Sequence, residues 1–311
     1  MSPRPFRFGI QASSATTAAG WIDLARRAEG NGFSCLTMPD HFTDQLAPVP
    51  ALTAAAAATS ALRVGALVWD NDYKHPVVLA KELATMDLLS DGRLEIGLGA
   101  GWMISDYEQA GMVYDPAPVR IDRFVEGLAI IRRAMSGETF SFEGKHYRID
   151  GYAGRPLPVQ RPCPPVLIGG GGKRVLGIAG READIVGING TMHEGRVGPG
   201  TLATMTAEAV DEKVGFVRAA AGQRFAGIEM NIRVFMSNVT DGRDKALVDL
   251  AAALGQPVEL LTESPFALIG SPAKIVEDLL ARRERWGFSY VIVGPEEVDS
   301  FAPVVAELAG R

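Results

Sequence analysis

Leu62-Arg-Val-Gly-Ala-Leu-Val68, Pro76 to Ser90, Asp91-Gly92 and Leu94-Glu-Ile-Gly-Leu98 follow one another in a single stretch of chain. The first and last runs are short, apolar and rich in branched residues, which reads as buried strand. Between them Pro76 opens a helix at a position where its missing N–H costs nothing, and Asp91-Gly92 turns the chain back. The stretch is therefore one strand–helix–strand unit, and the same rhythm continues on either side. Upstream, Phe6 to Gln11 reads as strand, Ala18 to Asn31 as helix stopped by Gly32, Cys35 to Met38 as strand and Pro50 to Ser60 as helix. Downstream comes a long helix from about Val119 to Met135.

After Gly137 the rhythm breaks. Phe140 to Ile149 alternates around Glu143-Gly144, as a hairpin does, and Pro156 to Pro165 fits an extended crossing segment. The pattern then resumes with strand Val166–Gly169, helix Lys173–Arg181, strand Asp184–Ile188, helix Thr201–Ala221, strand Glu229–Phe235 and helix Arg243–Leu254. A helix from Pro272 to Trp286, capped by Ser271 and closed by Gly287, leads into strand Tyr290–Val293 and a last helix, Glu296 to Ala309. Eight strands, each followed by a helix, are the count of an α/β (β/α)8 TIM barrel. The hairpin is an insertion after unit four, and extra helices precede strand eight. A doubly wound sheet would need a break into two halves, and no flexible polar linker marks one. Residues 1–311 are read as one barrel domain.

The composition agrees. The chain has 311 residues, 47% of them hydrophobic, with 31 Lys plus Arg against 37 Asp plus Glu. That is too apolar for a disordered chain, and a net charge of −6 argues against a general nucleic-acid partner. The longest apolar stretch, Ala51 to Thr59, falls far short of the ~20 residues of a membrane span. The first residues lack the apolar core of an export signal, so a cytoplasmic protein is expected. Cys35 and Cys163 stand too far apart for a metal motif or a disulfide framework.

In such a barrel the chemistry lies just beyond the C-terminal ends of the strands. Asp40-His41 follows strand two and joins a carboxylate to the side chain that titrates nearest neutrality, as a general acid–base pair would. The plainer alternative is a loop histidine beside a turn-capping aspartate. Gly99-Ala100-Gly101, after strand four, leaves backbone N–H groups open to close approach by a ligand, or merely permits tight packing. It does not complete a dinucleotide fingerprint. Gly169 to Gly172, followed by Lys173-Arg174 at a helix start, favours a phosphate or carboxylate; the alternative is a flexible turn. His75, His146 and His193 form no zinc spacing, and the clusters of a metal-dependent hydrolase are missing. Trp69 and Trp102 are candidates to wall a pocket, and Arg120, Arg123 and Glu126 share a helix face suited to ion pairing.

Phe8-Gly-Ile-Gln11, Met38-Pro-Asp-His-Phe42, Gly97-Leu-Gly-Ala-Gly-Trp102, Phe142-Glu-Gly-Lys-His-Tyr147, Gly169 to Lys173 and Ile269-Gly-Ser-Pro272 occur in that order. Together they resemble the bacterial luciferase-like superfamily, and in particular its branch dependent on the deazaflavin coenzyme F420. The resemblance implies a deazaflavin, or alternatively FMN, at the barrel mouth, with its phosphate on Gly169, Gly170, Gly171, Gly172, Lys173 and Arg174. It implies a bulge with a non-prolyl cis peptide near Ala66-Leu67-Val68 behind the ring, and further contacts from Asp40, Gly99, Ala100, Gly101, Trp102 and Ser105. His41, with Asp40, would be the catalytic pair, acting on a small-molecule substrate in a homodimer. In sugar-phosphate dehydrogenases of that branch a glutamate follows the strand-four glycines; Trp102 stands there here, which argues against glucose-6-phosphate. An FMN-dependent monooxygenase and a non-catalytic flavin-binding relative remain the alternatives.

Overall fold

The computed structural model describes residues 3–192 and 194–311; the candidate His193 lies outside the described residues. Eight parallel strands form the barrel: β1 (Arg7–Gln11), β2 (Cys35–Met38), β3 (Arg63–Ala66), β4 (Leu94–Gly99), β5 (Val166–Gly170), β6 (Ile185–Ile188), β7 (Glu229–Arg233) and β8 (Phe288–Val293). Each pairs with its sequence neighbours, and β8 pairs back onto β1, so the sheet is closed. The helices are α1 (Ala18–Gly30), α2 (Pro48–Ala57), α3 (Pro76–Leu89), α4 (Ile104–Ala110), α5 (Ala117–Ser136), α6 (Lys173–Glu182), α7 (Pro199–Leu202), α8 (Ala207–Ala221), α9 (Arg243–Leu254), α10 (Val258–Glu263), α11 (Pro272–Trp286) and α12 (Ala302–Leu308). The expected hairpin is present as Thr139–Glu143 against Arg148–Ala153. Among the described residues no helix is long and apolar enough to cross a membrane.

Most differences from the expected elements sit at the barrel mouth. Strand three stops at Ala66, the Leu67–Val68 peptide is cis, and a two-residue strand, Trp69–Asp70, follows. The cis bond falls where the resemblance placed it. The helix expected over Thr201–Ala221 is two, because Thr206 caps a new start by accepting from the Ala209 N–H at 3.2 Å. The strand expected over Glu229–Phe235 ends at Arg233; the chain leaves the barrel and re-forms as Met236–Val239, paired with Ala267–Gly270. The last helix is shorter than expected, a 3-10 turn at Pro295–Glu297 preceding α12. Glu126 does not pair with Arg120 or Arg123. Its carboxylate accepts the N–H groups of Lys145, His146 and Tyr147 in the hairpin turn, at 2.8, 2.9 and 3.1 Å. These N–H groups need a partner where the hairpin turns, and no strand supplies one.

Strand side chains alternate between two faces. Outward residues such as Phe8, Ile10, Leu36, Met38, Ile96 and Ile232 pack under the helices in the main core. The inward residues are Arg7, Gly9 and Gln11 on β1, Glu95, Gly97 and Gly99 on β4, and Glu229, Asn231 and Arg233 on β7. At the N-terminal end of the barrel, Arg7 donates to Glu95 and Glu229, each at 2.6 Å, and Arg63 donates to Glu95 at 2.7 Å. Burial pulls the Arg7 pKa down, but the two carboxylates and the Tyr290 ring, whose centroid lies 3.5 Å from the guanidinium, more than offset it. Above this ionic plug Cys35, Leu167, Ile185, Tyr290 and Ile292 form an apolar layer, on which Leu67 and Val68 rest.

Candidate active site

The barrel mouth opens into a cavity of about 590 Å³, within the range of small-molecule and cofactor sites. Its floor is the Leu67–Val68 segment, flanked by glycines from β4 and β5. These glycines are required by close approach. A Cβ on Gly97 would lie 1.9 Å from the Ala66 carbonyl oxygen, and one on Gly99 would lie 2.5 Å from a Val68 methyl. On the other wall stand His41 and Trp102, whose rings meet edge to face at 5.5 Å.

His41 is not held by its sequence neighbour Asp40. Its Nδ1 bonds Asp106 Oδ2 at 2.6 Å. Asp106 lies on α4, an element absent from the expected pattern. Its buried carboxylate also accepts the Tyr73 hydroxyl at 2.8 Å and the Phe42 N–H at 3.3 Å. An acceptor held from three sides fixes the imidazole with its proton on Nδ1, leaving Nε2 as the exchanging atom. Asp40 also lines the cavity, but its Oδ2 accepts the Asp70 N–H at 3.2 Å. The Asp70 carboxylate is buried against the Tyr107 hydroxyl (3.2 Å) and accepts the Asp72 N–H (2.9 Å), while Asp72 pairs with Arg123 at 3.0 Å. Burial is the main cause that pushes Asp40 up to about 6 and Asp70 up to about 7.

The glycine loop opens as expected, but its cations turn away. Gly172 caps α6 with no side chain, so the first-turn N–H groups at the cavity edge have no capping partner among the described residues. Gly171 packs on the β6 loop, where a Cβ would lie 2.3 Å from the Gly190 carbonyl oxygen. Lys173, exposed, lies 5.4 Å from the Phe216 ring, and Arg174 pairs with Asp122. Neither lines the cavity; nor do Ala66, buried beneath the floor, or Ser105 on α4. Trp69 is buried away from the cavity and Trp102 lines it. His75 caps α3, accepting the Val77 N–H. Among the described residues no group of side chains forms a metal site.

Sequence reasoning missed four residues. Asp106 and Tyr73 gave no local signal, since they meet His41 only across loops. Lys213, buried on α8, donates to the carbonyls of Asn189 and Thr204 at 2.7 and 2.6 Å and braces the loop behind Gly171; burial pulls it down to about 8. Arg233 did have a signal: Glu229, Asn231 and Arg233 alternate with Met230, Ile232 and Val234, which in a barrel strand sends the polar set inward.

Residues 4–253 match the sequence profile of the luciferase-like monooxygenases. The chain belongs to this family. Among its relatives, an F420-dependent glucose-6-phosphate dehydrogenase of Nakamurella multipartita is 31% identical over 59% of this chain and 56% of its own length. An FMNH2-dependent dimethylsulfone monooxygenase of Pseudomonas fluorescens is 28% identical over 75% of this chain and 61% of its own. The chain thus spans less than two thirds of the length of these relatives. In fold, this luciferase-like protein matches the coenzyme F420-dependent tetrahydromethanopterin reductase of Methanopyrus kandleri, with TM-score 0.79 and 19% identity over 98% of this chain and 99% of that one. The names of these relatives carry F420 or FMNH2 as the cofactor. The bare glycine walls, the floor at Leu67–Val68 and the uncapped α6 N-terminus fit a planar ring with an anionic tail.

Proposed function

We propose that this luciferase-like protein is a coenzyme F420-dependent oxidoreductase acting on a small organic substrate, with His41 exchanging the proton that accompanies hydride transfer. The carrying observation is the bond of His41, a residue of the cavity wall, to the buried carboxylate of Asp106. The deazaflavin, when bound, supplies or accepts the hydride. The chain supplies the rest. The α6 N-terminus, with the loop braced by Lys213, holds the anionic tail, and Gly99 to Trp102 with Leu67–Val68 orient the ring. His41 Nε2 gives or takes the proton at the substrate atom. Asp40, largely desolvated, is a second group on the same wall that can donate when protonated.

Titrating the purified protein with coenzyme F420 and with FMN, followed by fluorescence, tests the reading. Micromolar binding of F420 with weaker binding of FMN supports it, and micromolar binding of FMN alone overturns it. His41→Ala should lower turnover about 100-fold and leave cofactor affinity within a few-fold. An FMN-dependent monooxygenase is the second reading, supported by the match to the sulfone monooxygenase over 75% of this chain.

A further inference from the structure

The three inward residues of β7 have different fates. Glu229 is bound by Arg7 at the N-terminal end, and Asn231 donates to the Tyr290 carbonyl at 3.0 Å. Arg233, at the C-terminal end, lines the cavity. Its Nε donates to Gln11 Oε1 at 2.9 Å, and Gln11 Nε2 donates in turn to the Leu67 carbonyl at 3.0 Å. The Gln11 amide is thereby fixed with a neutral oxygen against the guanidinium. Nη1 turns to the Val234 carbonyl, and no hydrogen bond is made by Nη2 among the described residues.

Other desolvated arginines of this protein are satisfied differently. Arg7 has two carboxylates. Arg282, buried without one, donates from both Nη atoms to the carbonyls of Ser264, Pro265 and Ala267. Arg120, the other arginine of the cavity, donates from both Nη atoms to the carbonyls of Asp115 and Gly101 and lies 4.1 Å from the Tyr114 ring centroid, which leaves only its buried Nε without a partner among the described residues. Arg233 alone among these combines a free guanidinium edge with a place on the cavity wall. The one charge that favours its ionised form is the exposed Glu296, and burial pulls its pKa down to about 10, so the group is still a cation at neutral pH. A half-buried cation with no carboxylate in contact is costly, and an incoming anion removes that cost.

We propose that Arg233 is the anion-recognition residue of the substrate subsite and that the substrate carries a carboxylate. The proposal names a substrate class for the function proposed above and rests on that reading. One guanidinium edge matches one carboxylate. A phosphate dianion would call for a second free cationic edge: Lys173 and Arg174 are turned out of the cavity, and Arg120, which lines it, spends both Nη atoms on the carbonyls of Asp115 and Gly101.

The test uses the full chain without cofactor and two probes of the same shape, benzoate and neutral benzamide, titrated by calorimetry at millimolar ligand. The wild type should bind benzoate at least ~10-fold more tightly than benzamide. Arg233→Met should abolish that preference while leaving benzamide within about two-fold, and Arg233→Lys should restore part of it. Gln11→Glu, which places a carboxylate against the guanidinium with no change in side-chain size, should weaken benzoate ~10-fold; it carries the test if Arg233→Met does not fold. Equal binding of the two probes by the wild type, or a preference that survives in Arg233→Met or Gln11→Glu, overturns the proposal. Since no cofactor is present, a failed F420 or FMN titration counts against the proposed function and not against this site.

Discussion

His41 Nδ1 and Asp106 Oδ2, 65 positions apart in the chain, are 2.6 Å from each other at the barrel mouth. The loop after β2 brings the imidazole and α4, after β4, brings the carboxylate. Asp106→Asn keeps the size of the side chain but offers an amide N–H as readily as an acceptor, which loosens control of the imidazole tautomer. Turnover should fall about 10- to 100-fold with cofactor affinity within three-fold, measured by steady-state kinetics and fluorescence titration. Unchanged turnover would show that the pair plays no part in proton transfer.

Glycines in the floor should tolerate nothing larger. Gly97→Ala sets a methyl against the Ala66 carbonyl oxygen at 1.9 Å, backbone that cannot swing aside. A loss of roughly 3 kcal/mol or more is expected in urea unfolding. Gly215→Ala, in the middle of α8 with open space around the new methyl, should instead stabilise by roughly 0.5–1 kcal/mol. Similar effects at the two positions would mean that the β4 floor has room to spare.

The ionic plug is a stability element far from the chemistry. Glu95→Gln would leave Arg7 with Glu229 alone and Arg63 without its carboxylate in a poorly solvated place. The expected cost is roughly 3–5 kcal/mol in chemical denaturation, with cofactor affinity unaltered. A variant as stable as the wild type would show that water screens these charges.

Stability should also carry the mark of the cavity acids. Burial lifts Asp70 to about 7 and Asp40 to about 6, so in the folded state both keep protons that the unfolded chain releases above about pH 4. Their contribution to stability is complete below that pH and is lost as pH rises through the folded values. Asp70→Asn cannot ionise. From pH 4.5 to 7.5 its unfolding free energy should therefore gain roughly 1–3 kcal/mol on the wild type. A difference that does not change with pH in denaturant titrations would place the Asp70 carboxylate in contact with water.

Much of the fold was legible because the cues are local. Strand Cys35–Met38, helix Arg243–Leu254 and helix Pro272–Trp286 with its Ser271 cap have the bounds read from their residues. Period, cap and terminating glycine act within a few residues of one another. Where a boundary depended on a distant contact the reading failed. Glu229 to Phe235 reads as one strand because nothing local shows that Met236 pairs with Ala267. Likewise α4 is too short to show a helical period, and Asp106 on it gives no local signal.

The alternation of strand and helix, the bare glycines at the ends of β4 and β5, and the placing of His41 at a strand end can be read along the chain. Each follows from the conformational range or the pattern of a short segment. That His41 is held by Asp106 and not by Asp40, that Lys173 and Arg174 turn out of the cavity, and that Arg233 meets a neutral Gln11 emerge with the folded barrel. Closing the barrel brings the ends of non-adjacent strands within hydrogen-bond reach, and partners that depend on that closure have no counterpart in the order of residues along the chain.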